Sequence, residues 1–246
     1  MVRYRIRYQK VGAIRFTSHR DLLRTFRRSL AAADVPVCYS RGFNPHPRFS
    51  FGPSLRTGWE GLDEYMDVQL EQPIGELDVR LNRRLPDGLE VVASAAVGDS
   101  VPKLSTDIRA ARYRVTVDRS NLQEGINPSW DHFGRRAIAA NAAGPCPVLE
   151  EELRSRFDPG PAGDNGGDRA PFLLDIHITE KDGDLRIEYL STMEQGKSLF
   201  PEMLYEYIGD SSGMEIPVKV VRTALLVERG GIHYSPISKG VVQNLL

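Results

Sequence analysis

Residues 2–8 read Val2-Arg3-Tyr4-Arg5-Ile6-Arg7-Tyr8, with an apolar or aromatic side chain at every even position and an arginine at every odd one. A period of two is the strand period, so the stretch predicts a β-strand with one apolar face and one arginine face. Working outward, Lys10-Val11-Gly12 reads as a turn, and Ala13–Phe16 as the end of a hairpin or a prolongation of the strand. A helix should open at Ser18. Its hydroxyl suits an N-cap, and Asp21, three residues on, suits both a capping box and the positive end of the helix dipole. At helical spacing Leu22, Leu23, Phe26, Leu30 and Ala33 fall on one side, while Arg20, Arg24, Arg27 and Arg28 gather on the other as a guanidinium stripe.

Asp34 and Pro36 end that helix, Val35–Tyr39 gives a short second strand, and a broken strand runs from Phe49 to Trp59. Glu64–Leu70 suits another strand. Ile74, Leu77, Leu81 and Leu85 are spaced for a second helix that Pro86-Asp87-Gly88 closes, and Leu89–Ala96 reads as a further strand. The resulting order, β-α-β-β-α-β, resembles a ferredoxin-like split βαβ domain. The later chain repeats the order: strand Arg112–Val117, helix Ser129–Asn141, strands Phe172–Thr179 and Asp184–Tyr189, helix Leu199–Ile208 and strand Val218–Val227. The expected class is therefore α+β, with tandem ferredoxin-like halves and antiparallel sheets. The first domain would span residues 1–105 and the second 106–228, with a flexible insert at 157–171 and a tail at 229–246.

The chain has 246 residues and a formal charge of −1, which hides an asymmetry. Residues 1–60 hold 12 Lys+Arg against 3 Asp+Glu, a net +9 that the remaining residues offset with −10. So concentrated a basic block is the footprint of an anionic partner, nucleic acid being the commonest, unless it docks on an acidic face of the same chain or of a partner. Two cysteines, Cys38 and Cys146, cannot build a disulfide framework or a Cys-rich metal cage, and a reducing, cytoplasmic location is expected. Neither an apolar leader nor a stretch approaching the ~20 apolar residues of a membrane span is present, so no membrane role is expected.

The densest chemistry lies in residues 38–58, CYSRGFNPHPRFSFGPSLRTG. Arginines at 41, 48 and 56 interleave with Tyr39, Phe43, Phe49 and Phe51 on a backbone stiffened by Pro45, Pro47 and Pro53. Cationic and stackable side chains in alternation suit single-stranded nucleic acid, arginines taking phosphates and aromatic faces taking bases. Phe49 and Phe51, alternating with Ser50, read instead as one apolar strand face. Arg41, Asn44, His46 and Arg48 form the candidate recognition loop, with Phe43 as a stacking platform; the plainer alternative is an edge loop that the prolines hold.

The segments Arg15-Phe16-Thr17-Ser18-His19-Arg20-Asp21-Leu22 and Ser40-Arg41-Gly42-Phe43-Asn44-Pro45-His46-Pro47-Arg48-Phe49-Ser50-Phe51-Gly52-Pro53 closely resemble the radical-SAM-linked protein family. In that family a domain of unknown function is encoded beside, or fused to, a radical SAM protein that often carries a cobalamin-binding domain. The resemblance covers most of the chain, and its one visible departure is Arg20, where the family usually has an apolar residue. It implies a partner and, through neighbouring genes often concerned with ribosomes or RNA processing, a cellular setting, without implying a reaction.

This chain cannot itself hold the radical cluster, since CxxxCxxC needs three cysteines and there are two. P-loop, GxGxxG and HExxH patterns are absent, and Gly196-Lys197-Ser198 is no phosphate loop because Ser191 stands where its first glycine belongs. Neither a cofactor nor a metal is expected in this chain. His46, between two prolines, is the leading functional histidine; His19 reads as a packed side chain or as a group facing the same site, and His132, His177 and His233 lack companions at ligand spacing. Arg222, alternating with apolar neighbours, is expected to make an interdomain ion pair. The expectation for function is an accessory, substrate-recruiting protein of a radical SAM system that binds RNA through its basic N-terminal face. Two alternatives stand beside it: a metal-independent RNA-processing enzyme using His46 and His19, and an adaptor that meets an acidic patch on its partner.

Overall fold

The computed structural model describes residues 1–118, 147–157, 173–182, 184–193, 198–208 and 218–237. The chain is a mixed α+β protein that divides into two units, Met1–Arg109 with Arg222–Leu246, and Ala110–Val221. The helix expected at Ser129–Asn141 and the insert expected at 157–171 lie, Phe157 apart, outside the described residues.

In the first unit, β1 (Val2–Lys10) pairs antiparallel with both β3 (Glu60–Leu70) and β4 (Leu89–Val97). The strand order is β4-β1-β3-β8, where β8 is Val218–Arg229; β2 (Phe49–Phe51) adds to β3, and β9 (Ile232–Tyr234) to β8. Two helices, α1 (His19–Ala32) and α2 (Leu77–Asn82), supply Leu22, Phe26, Leu30, Leu77 and Leu81 to one core. That core takes Tyr4, Ile6 and Tyr8 from the apolar face of β1 and Met66, Val68 and Leu70 from β3. Strand alternation therefore sends Arg3, Arg5 and Arg7 to the opposite face of the sheet. A one-turn helix, α3 (Leu104–Asp107), follows β4.

Ends of elements follow local chemistry. Ser18 caps α1, its Oγ accepting from the Asp21 N–H at 3.2 Å and donating to the Asp21 carboxylate at 2.7 Å. The helix stops as Asp34 turns left-handed at φ 51° and the Val35 N–H reaches back to the Leu30 carbonyl at 3.1 Å. Sequence periodicity overextends several elements, and the broken strand expected from Phe49 to Trp59 is strand only over Phe49–Phe51. Residues Gly12–Phe16 form a 3-10 turn rather than strand, starting from Gly12 at φ 67°. Val35–Tyr39 makes only isolated bridges, Val37 to Leu70 and Tyr39 to Pro47, because Pro36 has no N–H for a ladder. The second helix starts at Leu77 instead of Ile74, since the Tyr4 hydroxyl accepts from the Ile74 N–H and donates to its carbonyl, and Glu76 is left-handed at φ 53°.

In the second unit, β5 (Ile108–Asp118), β7 (Asp184–Thr192) and β6 (Leu173–Lys181) lie in that order, antiparallel throughout. Tyr113 and Tyr189 stack at 5.3 Å as direct cross-strand partners. Two helices accompany the strands, α4 (Pro147–Phe157), which the sequence pattern did not announce, and α5 (Pro201–Ile208). The Arg154 guanidinium ties α4 to β6 through the Asp175 carboxylate at 2.8 Å and the Ile176 carbonyl at 2.9 Å.

Candidate functional site

The basic block of residues 1–60 separates into spent and available cations. Arg5 is wholly buried and donates from Nε and a terminal nitrogen to the two Asp67 oxygens at 2.8 and 3.0 Å, with a second acid, Asp107, 3.6 Å away. Arg7 lies 3.5 Å from Asp63, and Arg15 is 3.3 Å from Glu60. Lys10 is buried too, its ammonium donating to the Arg15 and Thr17 carbonyls, and burial pulls its pKa down. The arginine face of β1 is thus largely an internal ionic layer.

What remains outward is α1 and the loop after it. Arg20, Arg24, Arg27 and Arg28 are all exposed, on the side of α1 away from Leu22, Phe26 and Leu30. Arg24 pairs with Asp21 at 3.0 Å across one exposed helical turn. Among the described residues Arg27 and Arg28 have no ion-pair partner.

Residues 38–48 fold as a hairpin-like arm. Its base is held by the Arg48 N–H on the Cys38 carbonyl at 2.9 Å and by the Ser40 N–H on the His46 carbonyl at 2.8 Å. The His46 N–H in turn donates to Ser40 Oγ at 2.9 Å. The tip turns at Gly42, whose φ of 143° suits glycine and is strained for any other residue. Arg41, Phe43, Asn44, His46 and Arg48 are all exposed, and Phe43 is fully so at 107%. Arg48 is anchored at both ends: its carbonyl accepts from the Gln69 N–H at 3.1 Å and its guanidinium donates to the Gln69 side-chain oxygen at 3.1 Å.

The histidines part company. His19 packs edge-on against Phe51 at 5.4 Å, and burial, then the Lys10 cation, push its pKa below the usual imidazole range. Among the described residues no hydrogen bond, ion pair or ring contact joins it to His46. Phe49 and Phe51 stand edge to face 6.3 Å apart against the core, as their alternation with Ser50 predicts. Arg222 forms an ion pair with Glu64 at 2.5 Å and donates to the Pro53 carbonyl at 2.7 Å, but Arg222, Glu64 and Pro53 all belong to the first unit, so the pair lies within that unit and not between two.

Sequence reasoning missed a group on the arginine face of the sheet. Arg3, Arg48 and Lys103 converge there with Ser50, Asp67 and Gln69 around a cleft of about 220 Å³. The register that places Arg3 opposite Gln69 and Ser50 opposite Asp67 was a possible signal; Lys103 carried none. No group of three or more His, Cys, Asp or Glu fit to hold a metal occurs among the described residues, and no described helix is long and apolar enough to cross a membrane. Residues 3–136 match a family described as an uncharacterized protein conserved in bacteria (DUF2344). No curated protein matches the chain.

Proposed function

We propose, for a chain that belongs to the DUF2344 family of uncharacterized bacterial proteins, that its first unit binds single-stranded RNA and recruits it for a radical SAM enzyme. One observation carries the binding step: Arg20, Arg27, Arg28, Arg41 and Arg48 remain outward after the internal ion pairs are made, with Phe43 projecting fully from the tip between Arg41 and Arg48. Guanidinium groups neutralise phosphates, and an exposed ring on a stiff arm offers a base a stacking face. His46 and Asn44 on the same arm supply hydrogen bonds to base edges.

The radical SAM partner rests on the resemblance of residues 15–22 and 40–53, and the enzyme supplies the cofactor chemistry. The scaffold we assign is a tandem of ferredoxin-like halves; the order β4-β1-β3 with β2 on β3, antiparallel throughout, supports it for the first half.

The test is binding of a fluorescent single-stranded oligoribonucleotide, followed by anisotropy across a salt series, for the wild type and the Arg27→Ala/Arg28→Ala variant. Tight binding should weaken as salt rises, and the variant should lower the salt slope by about 0.7 for each phosphate it no longer neutralises. Protein that purifies free of RNA at low salt and gives no anisotropy change would overturn the reading and leave the basic face to a protein partner.

A further inference from the structure

The cleft on the arginine face has more positive charge than its own structure uses. Its one acid, Asp67, is buried and already takes two hydrogen bonds from Arg5, at 2.8 and 3.0 Å. Arg3 stands 4.0 Å from that carboxylate; its terminal nitrogen donates to the Gly98 carbonyl at 2.9 Å and also to that of Val101, and its Nε–H is buried with no acceptor. Arg48 donates to a neutral amide, that of Gln69. Lys103 is exposed, and its ammonium has no hydrogen bond or ion pair among the described residues. Three cations thus face one carboxylate that a fourth cation has already neutralised.

The guanidinium groups of Arg3 and Arg48 and the backbone of Lys103 are held before any ligand arrives. Cross-strand register sets Arg3 against Gln69, backbone and side-chain bonds tie Arg48 to the same Gln69, and Lys103 sits immediately before α3, its carbonyl accepting from the Thr106 and Asp107 N–H groups at 3.0 Å. Ser50, the cross-strand neighbour of Asp67, adds a hydroxyl. Two guanidinium forks, an ammonium and a hydroxyl are the donor set that tetrahedral phosphoryl oxygens accept, and prior ordering lowers the entropic cost of binding. At about 220 Å³ the cleft falls below the ~300–1,000 Å³ of pockets for drug-sized ligands. That volume fits one phosphoryl group and part of the sugar that bears it.

We propose that this cleft binds a phosphate monoester, carried by a mononucleotide or by the end of an oligonucleotide. The site shares Arg48 with the arm of the RNA reading and otherwise differs from it: the cleft opens on the sheet face opposite the core that α1 covers, and Arg3 and Lys103 belong to neither α1 nor the arm.

Calorimetric titration of the full chain with AMP, adenosine and a 5′-phosphorylated oligoribonucleotide beside its 5′-hydroxyl twin tests it. AMP should bind and adenosine should not. Lys103→Gln and Arg48→Gln, both at exposed positions, should each weaken AMP about tenfold with the thermal midpoint unchanged, while Arg27→Ala/Arg28→Ala leaves AMP binding intact. A phosphorylated oligonucleotide that outcompetes AMP identifies a chain end as the ligand, and AMP that outcompetes it identifies a mononucleotide. Equal binding of AMP and adenosine, no AMP binding, or wild-type AMP affinity in both cleft variants would overturn the proposal. AMP binding in a protein that ignores RNA would sustain the cleft and sink the RNA reading alone.

Discussion

Arg5 and Asp67 are direct cross-strand partners on β1 and β3, joined by two hydrogen bonds of 2.8 and 3.0 Å with both side chains out of solvent. A carboxylate and a guanidinium so placed must stay together, since either one alone would be a buried charge. The second acid near Arg5, Asp107, 3.6 Å from its other terminal nitrogen, also receives Arg229 from the end of β8. The layer therefore fastens α3 and the last strands of the first unit to β1.

Asp67→Ala should cost about 3–5 kcal/mol, because it leaves the buried Arg5 charge with the Pro102 and Pro236 carbonyls and Asp107, at the longer 3.6 Å, as its remaining partners. The double variant Arg5→Met/Asp67→Leu should recover most of that, having removed both charges. Urea denaturation with an unchanged slope reads both values. Equal loss in the single and double variants would show that packing, rather than the unpaired charge, sets the cost.

Alternation in Val2–Tyr8 announced two faces correctly, and Ser18 with Asp21 announced the start of α1, because both signals are local. The fate of the arginine face was not local. Its acids arrive about 60 and 100 residues later as Asp67 and Asp107, so the surplus counted over residues 1–60 looked more available than it is. Composition alone marks the arm as a candidate, whereas the cleft needs a strand register that fixes Arg3 against Gln69, and a lysine from beyond β4.

Burial pushes the Asp63 carboxyl up to about 6, although the Tyr65 hydroxyl donating at 2.8 Å and the nearby Arg7 cation pull it the other way. The fold thus favours its protonated form. The stability this gives is fully present below the ordinary carboxylate value of about 4 and is lost as pH rises through about 6. Asp63→Asn, which does not titrate, should gain on the wild type by about 2–3 kcal/mol between pH 4 and pH 7. Denaturant midpoints of the two proteins measured side by side check it; a constant difference across that range would refute the assignment.

Gly88 closes the turn into β4 at φ 82°, and its carbonyl accepts from the Val11 N–H at 2.8 Å. A Cβ there would lie 2.3 Å from the Val11 carbonyl oxygen, with the left-handed backbone strained as well. Backbone must move to admit it. Gly88→Ala should destabilise by at least about 2 kcal/mol, more than the ~1 kcal/mol of left-handed strain alone, whereas Gly42→Ala, with open space around its Cβ, should cost strain only. Thermal melts of the two variants give the comparison.

Phe43 offers the sharpest separation of binding from folding. Its side chain lies outside the core and is fully exposed, so Phe43→Ala should leave the denaturation midpoint where it is. On the RNA reading it removes a stacking face worth about 1–3 kcal/mol, so affinity should fall roughly tenfold or more. The salt slope should not change, because every phosphate keeps its arginine. Arg27→Ala/Arg28→Ala predicts the reverse signature, a shallower slope with base stacking intact. Measuring affinity at several salt concentrations for both variants distinguishes a stacking arm beside a phosphate stripe from a diffuse basic surface, on which Phe43→Ala would bind as the wild type does.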